Sequence, residues 1–516
     1  MSQTVAGMKT RLMVGLEVHV ELATRSKMFT GAPNVAHPDY DDAGPNTLLD
    51  PVVLGMPGVM PVVNERAVEF SMRVGLALGC EIAEYTKWDR KSYYYPDLPK
   101  NYQISQYDLP LCGAGEFELP LTDEVDGPTK PIRIIRAHLE EDAGKLLHEA
   151  PGGVAIDHSI VDLNRSGTPL LEIVTEPDFD HAEQVVRFGR MLRDICRHLG
   201  VSQGVMQMGH MRFEPNINVV IEREGEEYRT PVVEIKNLNS FKAVYGAIEH
   251  ERVRQVEEWL ESGRVMGRGA KSTRGWDDAR GVTTHQREKE DAHDYRYFPD
   301  PDLVPLRVSR QWVDRVREEM TELPQERLKR YRVECKLDDK QARQIVDEPE
   351  TCALFDRVLQ ENVAPSRAAA VLLNYGAKRA NERGVAIHEL TVTPKQIAEI
   401  VRLAQADKIS SSGADELFRL CCDSANAEQS AEMLAQEHGL LQVSDTGSLE
   451  AYVDEVLADA NNAKVIEDIR GGKDKAVGAL LGRVMKLSKG QANPKLVGEM
   501  IKKKVRGSES QGKELA

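Results

Sequence analysis

The chain has 516 residues, of which 41% are hydrophobic and 29% charged, with a net charge of −16; this fits a soluble globular protein of roughly two to four domains and argues against general nucleic-acid affinity. No run of about 18 apolar residues occurs, so no membrane-spanning helix is expected, and residues 1–11 lack the apolar region of a secretory signal. The seven scattered cysteines form no C-x-x-C pair, which argues against a zinc ribbon or a disulfide framework and points to a reducing cytoplasm.

From the N-terminus, period-2 alternation predicts strands over 14–22, 131–141, 216–222 and 232–236, separated by turns rich in glycine and proline. Helical spacing covers 64–79 and 181–199, the second with Asp180 as its expected cap and Glu183 three residues on. A third helix is predicted over 241–263, with Val244, Ile248, Val253, Val256 and Leu260 as its apolar stripe. Residues 267–293 are polar and charged and read as an exposed loop or ribbon. Aromatics and prolines crowd 294–303, and from about Ser309 the pattern becomes helical, at 311–320, 338–346, 350–361, 365–377, 393–404 and through 409–504. The expected fold class is α+β: a mixed, mainly antiparallel N-terminal domain over 8–306, an all-α connector over 307–392 and an all-α tail over 393–506.

Four stretches carry residue types suited to chemistry. In 15–22, alternation places Glu17, His19 and Glu21 on one strand face and Leu16, Val18, Val20 and Leu22 on the other. Two carboxylates and an imidazole suit a hard cation such as Mg²⁺ or Mn²⁺, although an ordinary half-solvated strand shows the same pattern. In 136–145 a strand ends in Glu140, Glu141 and Asp142; strand spacing groups Glu140 with His138 and puts Glu141 on the opposite face unless a bulge intervenes. Between 88 and 107, six aromatics interleave with Arg90, Lys91 and Lys100, a composition suited to stacking bases and holding phosphates, and equally to packing. In 162–177, Asp162, Asn164 and Arg165 precede a Gly-Thr-Pro turn into a buried strand. No Walker loop, Rossmann fingerprint or nucleophile elbow is present, nor the Gly- and Ser-rich nucleophile loop of amidases.

Charge is unevenly spread. Between 471 and 506 stand ten Lys/Arg and two acids, a local balance of +8 that leaves −24 on the rest. A basic tail module on an acidic body can grip a polyanion locally, and a solvated helix face has the same composition.

Taken in order, the segments GLEVHVEL (15–22), SKMFTGAPN (26–34), DRKSYYYPDLPKNYQISQ (89–106), HLEEDAGK (138–145), DLNRSGTPLLEIVTEPD (162–178), EIKNLNSFKAV (234–244), DYRYFPDPDLVPL (294–306) and GRVMKLSKGQANPKLV (482–497) resemble the GatB/GatE family, over nearly all of 14–505. The resemblance implies one member of a heterotrimer, working with an amidase, the A subunit, together with a small C subunit. The reaction it implies phosphorylates the side-chain carboxylate of mischarged Glu-tRNA(Gln) or Asp-tRNA(Asn) with ATP and Mg²⁺, and ammonia then displaces the phosphate. It implies Glu17, His19 and Glu141 as metal ligands, with Glu140 a second candidate and a catalytic residue. Lys91 and Lys100 would serve the kinase pocket and the ammonia exit, and Asp162, Asn164, Arg165 and Thr175 the pocket wall and nucleotide. The tail resembles a YqeY-like domain, with Arg483, Lys486, Lys489 and Lys495 toward tRNA. Many members of the family carry a cysteine zinc site near the region that here spans 46–58, which holds no cysteine, so no zinc is expected. The alternative reading is a tRNA-binding scaffold whose catalysis lies in a partner.

Overall fold

A computed structural model describes residues 3–150, 153–288, 292–442, 446–488 and 491–507. The chain divides into two compact units, Met1–Gln325 and Glu326–Ala516.

The first unit is built on a ten-stranded sheet. Its elements include β1 (Met8–Glu21), α1 (Glu65–Ala77), β2 (Asp89–Ser92), β3 (Tyr102–Ser105), β4 (Gly115–Pro120), β5 (Thr129–Glu141), β6 (Pro169–Thr175), α2 (Ala182–His198), β7 (Met211–Arg223), β8 (Val233–Lys236), α3 (Phe241–Ser262), β9 (Ser272–Asp277) and β10 (Val282–Glu288). The main path across the sheet runs β10-β9-β8-β7-β1-β6-β5-β4. Its pairings are antiparallel except β8 with β9. β2 and β3 pair apart from it, beside the short strand Phe298–Pro299.

The alternation expected of the first strand is the alternation observed. Leu16, Val18, Val20 and Leu22 are buried in one core with Val68 and Met72 of α1, Phe188 and Leu192 of α2, and Val244 and Ile248 of α3. The opposite face is left to polar side chains. Helix ends follow their local chemistry: Asn64 caps α1 through its side chain, Ser240 caps α3, and Gly263 closes α3 at φ +65°, a left-handed conformation that glycine adopts without strain.

One expectation changes, and for 267–293 the ribbon alternative is the one observed. Asp180 does not cap α2. The cap position is His181, which makes no side-chain cap bond, and the Asp180 carboxylate is held by His181 and Lys130 instead. The polar stretch 267–293 contains the hairpin β9–β10, which extends the main sheet through β8. Its few apolar residues hide the strands because sheet pairing and buried polar contacts hold it, among them Thr273 donating to Glu234 at 2.8 Å.

The second unit is helical. One apolar core gathers residues from Tyr331 to Ala435, and another from Leu449 to Val505. The first of these is not divided at residue 392: Ile397, Val401, Leu417 and Phe418 share it with Phe355, Val358 and Leu372. Among the described residues, no helix is long and apolar enough to cross a membrane.

Candidate active site

The polar face of the sheet is set by register. His138 on β5, Glu172 on β6, His19 on β1 and Arg212 on β7 stand directly opposite one another in one cross-strand row. The next row holds Arg136, Val174, Glu17 and Glu214, and the row on the other side places Glu140, Leu170 and Glu21 in line. Directly opposed side chains on neighbouring strands lie about 5 Å apart, so four strands concentrate these groups on one wall. That wall faces a cavity of about 370 Å³, also lined by Lys91, Gln103, Tyr107, Asp142, Glu234, Lys236, Tyr295 and Tyr297.

Two groups on this wall have the composition of a cation site. Ligand atoms of His19, Glu140 and Glu172 lie within 4.8 Å of one another, as do those of Glu17, Glu214 and Glu234. Adjacent ligands of an octahedral Mg²⁺ are about 3 Å apart, so either set would have to draw together to hold that ion. The first set has the stronger fit. His19 Nε2 lies 3.5 Å from Glu172 Oε2, His138 Nε2 lies 3.4 Å from the same oxygen, and Ser105 Oγ donates to Glu140 at 3.2 Å. The second set is already partly neutralised, since Lys236 Nζ reaches Glu214 at 2.6 Å and Glu234 at 3.6 Å.

The titrations follow from these neighbours. Burial pushes His19 down, but the hydrogen bond and charge of Glu172 outweigh it and carry the imidazole up to about 9. His138 goes the other way, to about 4, because burial dominates and Arg136 and Lys91 add positive charge. Glu172 is held well below the usual carboxylate range against burial by His138, His19 and Lys91. Burial raises Glu140, with Lys91 opposing. Glu21, buried beside Asp142, is pushed up to about 8.

Lys91 stands at the edge of this network. Its ammonium sits 5.1 Å from the ring centroid of Tyr295 and makes no hydrogen bond or ion pair among the described residues, so its N–H donors remain available to a ligand. Burial would lower it, yet Glu140 and Glu172 keep it charged. Tyr297 stacks on Tyr107 at 4.3 Å and 11°, closing the cavity beside it.

The other expected residues lie elsewhere. Glu141 is not gathered with Glu17 and His19. It faces away from Glu140, where Lys100 Nζ and the Ile104 amide donate to its carboxylate, and the regular alternation from Arg136 to Glu141 is the reason. Lys100 is thereby turned from the cavity. Asp162, Asn164 and Arg165 do not line it either. Asp162 accepts from the Asn46 amide at 3.1 Å, Asn164 accepts from the Leu48 amide at 2.9 Å, and Arg165 donates to the carbonyls of Ala143 and Gly144. Their side chains are spent on holding neighbouring loops. Thr175 accepts from the Leu16 amide at 2.9 Å, repairing the ladder where the register shifts after Val174. In the second unit Arg483, Lys486 and Lys495 are exposed, with Arg483 also donating to Asn462; Lys489 lies outside the described residues. Lys502, Lys504 and Arg506 pair with Asp474 or Asp454, so part of the basic charge is neutralised internally.

The sequence shows polar groups at strand ends in 212–219 and 234–240 but assigns no role to Arg212, Glu214 or Glu234, and it does not mark Glu172 or Tyr295. A lone glutamate in the apolar run 170–174 was the available signal for Glu172.

Comparison with known proteins follows the same division. A family model described as the GatB/GatE catalytic domain matches residues 12–314, and one described as a GatB domain matches 353–505. Curated relatives, each named as the B subunit of an aspartyl/glutamyl-tRNA(Asn/Gln) amidotransferase, align along nearly their whole length. The protein of Thermoanaerobacter sp. (strain X514) is 40% identical over 498 residues, 96% of this chain and 100% of the relative. That of Geobacter sulfurreducens is 43% identical over 500 residues, 97% of this chain and 100% of the relative. That of Carboxydothermus hydrogenoformans is 41% identical over 494 residues, 96% and 98% respectively. The chain belongs to the GatB/GatE family.

Proposed function

We propose that the chain is the component of a tRNA-dependent amidotransferase that converts mischarged Glu-tRNA(Gln), Asp-tRNA(Asn) or both to the amide. It would do so in the cytoplasm, in a heterotrimer with an amidase, the A subunit, and with a small C subunit. The observation that carries this reading is the convergence of His19, Glu140 and Glu172 beside an ammonium, Lys91, whose donors are unspent.

A carboxylate does not expel oxide when ammonia attacks it, so it must first gain a leaving group. The side-chain carboxylate oxygen attacks the terminal phosphorus of ATP, the bond to ADP breaks, and an acyl phosphate results. Ammonia then adds to the acyl carbon, phosphate leaves with the C–O bond electrons, and the nitrogen sheds a proton. Lys91 would hold the transferred phosphoryl oxygens and offset charge that develops on them. A Mg²⁺ ion at His19, Glu140 and Glu172 would neutralise phosphate charge and orient the attacking and leaving oxygens. His138, held neutral, orients Glu172 from its other side. This assignment takes Glu140 in place of Glu141 and keeps Glu17 with Glu214 and Glu234 as a second acidic site. Lys100, paired with Glu141 on the face of β5 opposite Glu140, is proposed to serve the ammonia exit. Within the expected tail, 393–506, the part built on the separate core from Leu449 to Val505 is proposed to contact the tRNA body through phosphates, with Arg483, Lys486 and Lys495 as the exposed cations.

The test is reconstitution with purified A and C subunits, ATP, glutamine and each mischarged tRNA. Amide formation with at least one tRNA, lost in Glu140→Gln together with aminoacyl-tRNA-dependent ADP release, supports the reading. Normal acyl-phosphate formation by His19→Ala and Glu140→Gln would move catalysis to a partner.

A further inference from the structure

Two tyrosines at the rim of the cavity lack the fixing contacts of their neighbours. Tyr93 donates to Gln103 at 3.3 Å and meets the Tyr295 ring at 6.1 Å. Tyr94 and Tyr95, next along the chain, are 72% and 55% exposed. The guanidinium of Arg296 lies 5.9 Å from the Tyr94 ring centroid. Arg296 sits between Tyr295 and Tyr297, both of which line the cavity, so this pair stands at its mouth. Arg296 adopts φ +49°, a left-handed conformation that costs a non-glycine residue about 1 kcal/mol or more and that often marks a functional position. Among the described residues it makes no hydrogen bond or ion pair.

The proposed substrate carries its carboxylate on an amino acid esterified to a terminal ribose. That carboxylate is separated from the ester oxygen by roughly 5–6 Å of chain. With the carboxylate at the sheet wall, the ribose, its base and the preceding phosphates remain at the rim. Inside the cavity six carboxylates stand against four Lys/Arg side chains, and Lys91 is taken by the transferred phosphoryl group in that reading, so the tRNA phosphates need a cation at the rim. An exposed ring beside an uncommitted guanidinium offers the complementary chemistry: a stacking face and a phosphate ligand, the combination that binds unpaired RNA. The surface is open, whereas a nucleotide cofactor site encloses most of its ligand.

We propose that Tyr94 and Arg296 receive the unpaired 3′ end of the aminoacyl-tRNA acceptor strand, Tyr94 stacking on a terminal base and Arg296 holding a backbone phosphate. This rests on the function proposed above.

The test uses the assembled complex and an aminoacyl-tRNA whose terminal adenine is replaced by 2-aminopurine. Stacking quenches its fluorescence. Quenching is expected with the unaltered chain and with Tyr94→Trp, and its loss with Tyr94→Ala. The KM for aminoacyl-tRNA should rise roughly 10-fold in Tyr94→Ala with the KM for ATP unchanged. Arg296→Gln should lower the dependence of log affinity on log salt by about one contact. Full quenching and an unchanged tRNA KM in Tyr94→Ala overturn the proposal, as does a rise confined to the KM for ATP, which would assign the ring to the nucleotide. Quenching reports binding whether or not turnover follows. Failure of the unaltered complex to transamidate therefore strikes the functional reading, and intact quenching in Tyr94→Ala strikes this one.

Discussion

His19 and Glu172 face each other across adjacent antiparallel strands, with Nε2 of the imidazole 3.5 Å from Oε2 of the carboxylate. The pair is deep in the sheet wall, and Glu172 is shared with His138 on the next strand. Glu172→Gln removes the charge common to both imidazoles. Its expected effect is a loss of roughly 100-fold or more in Mn²⁺ affinity and in ATP-dependent turnover, with folding intact, as read by Mn²⁺ titration and by transamidation rate.

The Lys91 ammonium lies over the Tyr295 ring, 5.1 Å from its centroid. A cation–π contact at a partly desolvated site contributes about 1–2 kcal/mol, so Tyr295→Leu should lower kcat/KM for ATP by roughly 5- to 30-fold. Tyr295→Phe keeps the ring and should stay near the unaltered value. Equal loss in both variants would show that the hydroxyl, rather than the ring, is what matters.

Lys100 and Glu141 form an ion pair with side chains 8% and 5% exposed. Lys100→Met leaves the Glu141 carboxylate buried without its cation, which costs about 3–5 kcal/mol. Adding Glu141→Gln should restore much of the lost stability, and thermal unfolding of the single and double variants measures this.

Lys27 is fully buried and donates to the Ser166 carbonyl at 2.6 Å. Burial lowers its pKa to about 8, against the charges of Asp50, Glu141 and Asp162. Between about 8 and 10.5 the unfolded chain therefore binds more protons at this site than the folded one. This site's penalty is therefore present in full below pH 8 and is relieved as pH rises toward 10.5, by up to about 3 kcal/mol. The stability difference between the unaltered chain and Lys27→Met, taken from unfolding scans at successive pH values, should shift in favour of lysine across that window.

Gly75 in α1 packs so closely that an added Cβ would lie 2.5 Å from Cys112 Sγ, inside the apolar core. Gly75→Ala should destabilise the first unit by about 1–3 kcal/mol, and Cys112→Ala in the same chain should recover part of it, both read by unfolding.

What could be read in the sequence was local. Caps and breakers such as Asn64 and Gly263 bounded helices, and period-2 alternation put Glu17 and His19 on one face and Glu140 beside His138. The likeness of HLEED to the family pointed one residue further, to Glu141, whereas the pleat of β5, regular from Arg136 to Glu141, turns that carboxylate toward Lys100. Glu172, Glu214 and Glu234 were hidden for a different reason. Their place on the wall depends on which strands pair and in what register, and the pairing of β1 with β6 joins residues about 150 positions apart. The hairpin β9–β10 was obscured because its strands are held by polar groups such as Thr273 and Arg274 rather than by an apolar stripe.

In the proposed cation site Glu140, and not Glu141, stands with His19 and Glu172. Mn²⁺ titration of Glu140→Gln and Glu141→Gln, followed by the paramagnetic resonance of the free ion, tests it most directly. Affinity should fall roughly 100-fold for Glu140→Gln and change little for Glu141→Gln. Loss of binding in Glu141→Gln with Glu140→Gln unaffected would contradict it.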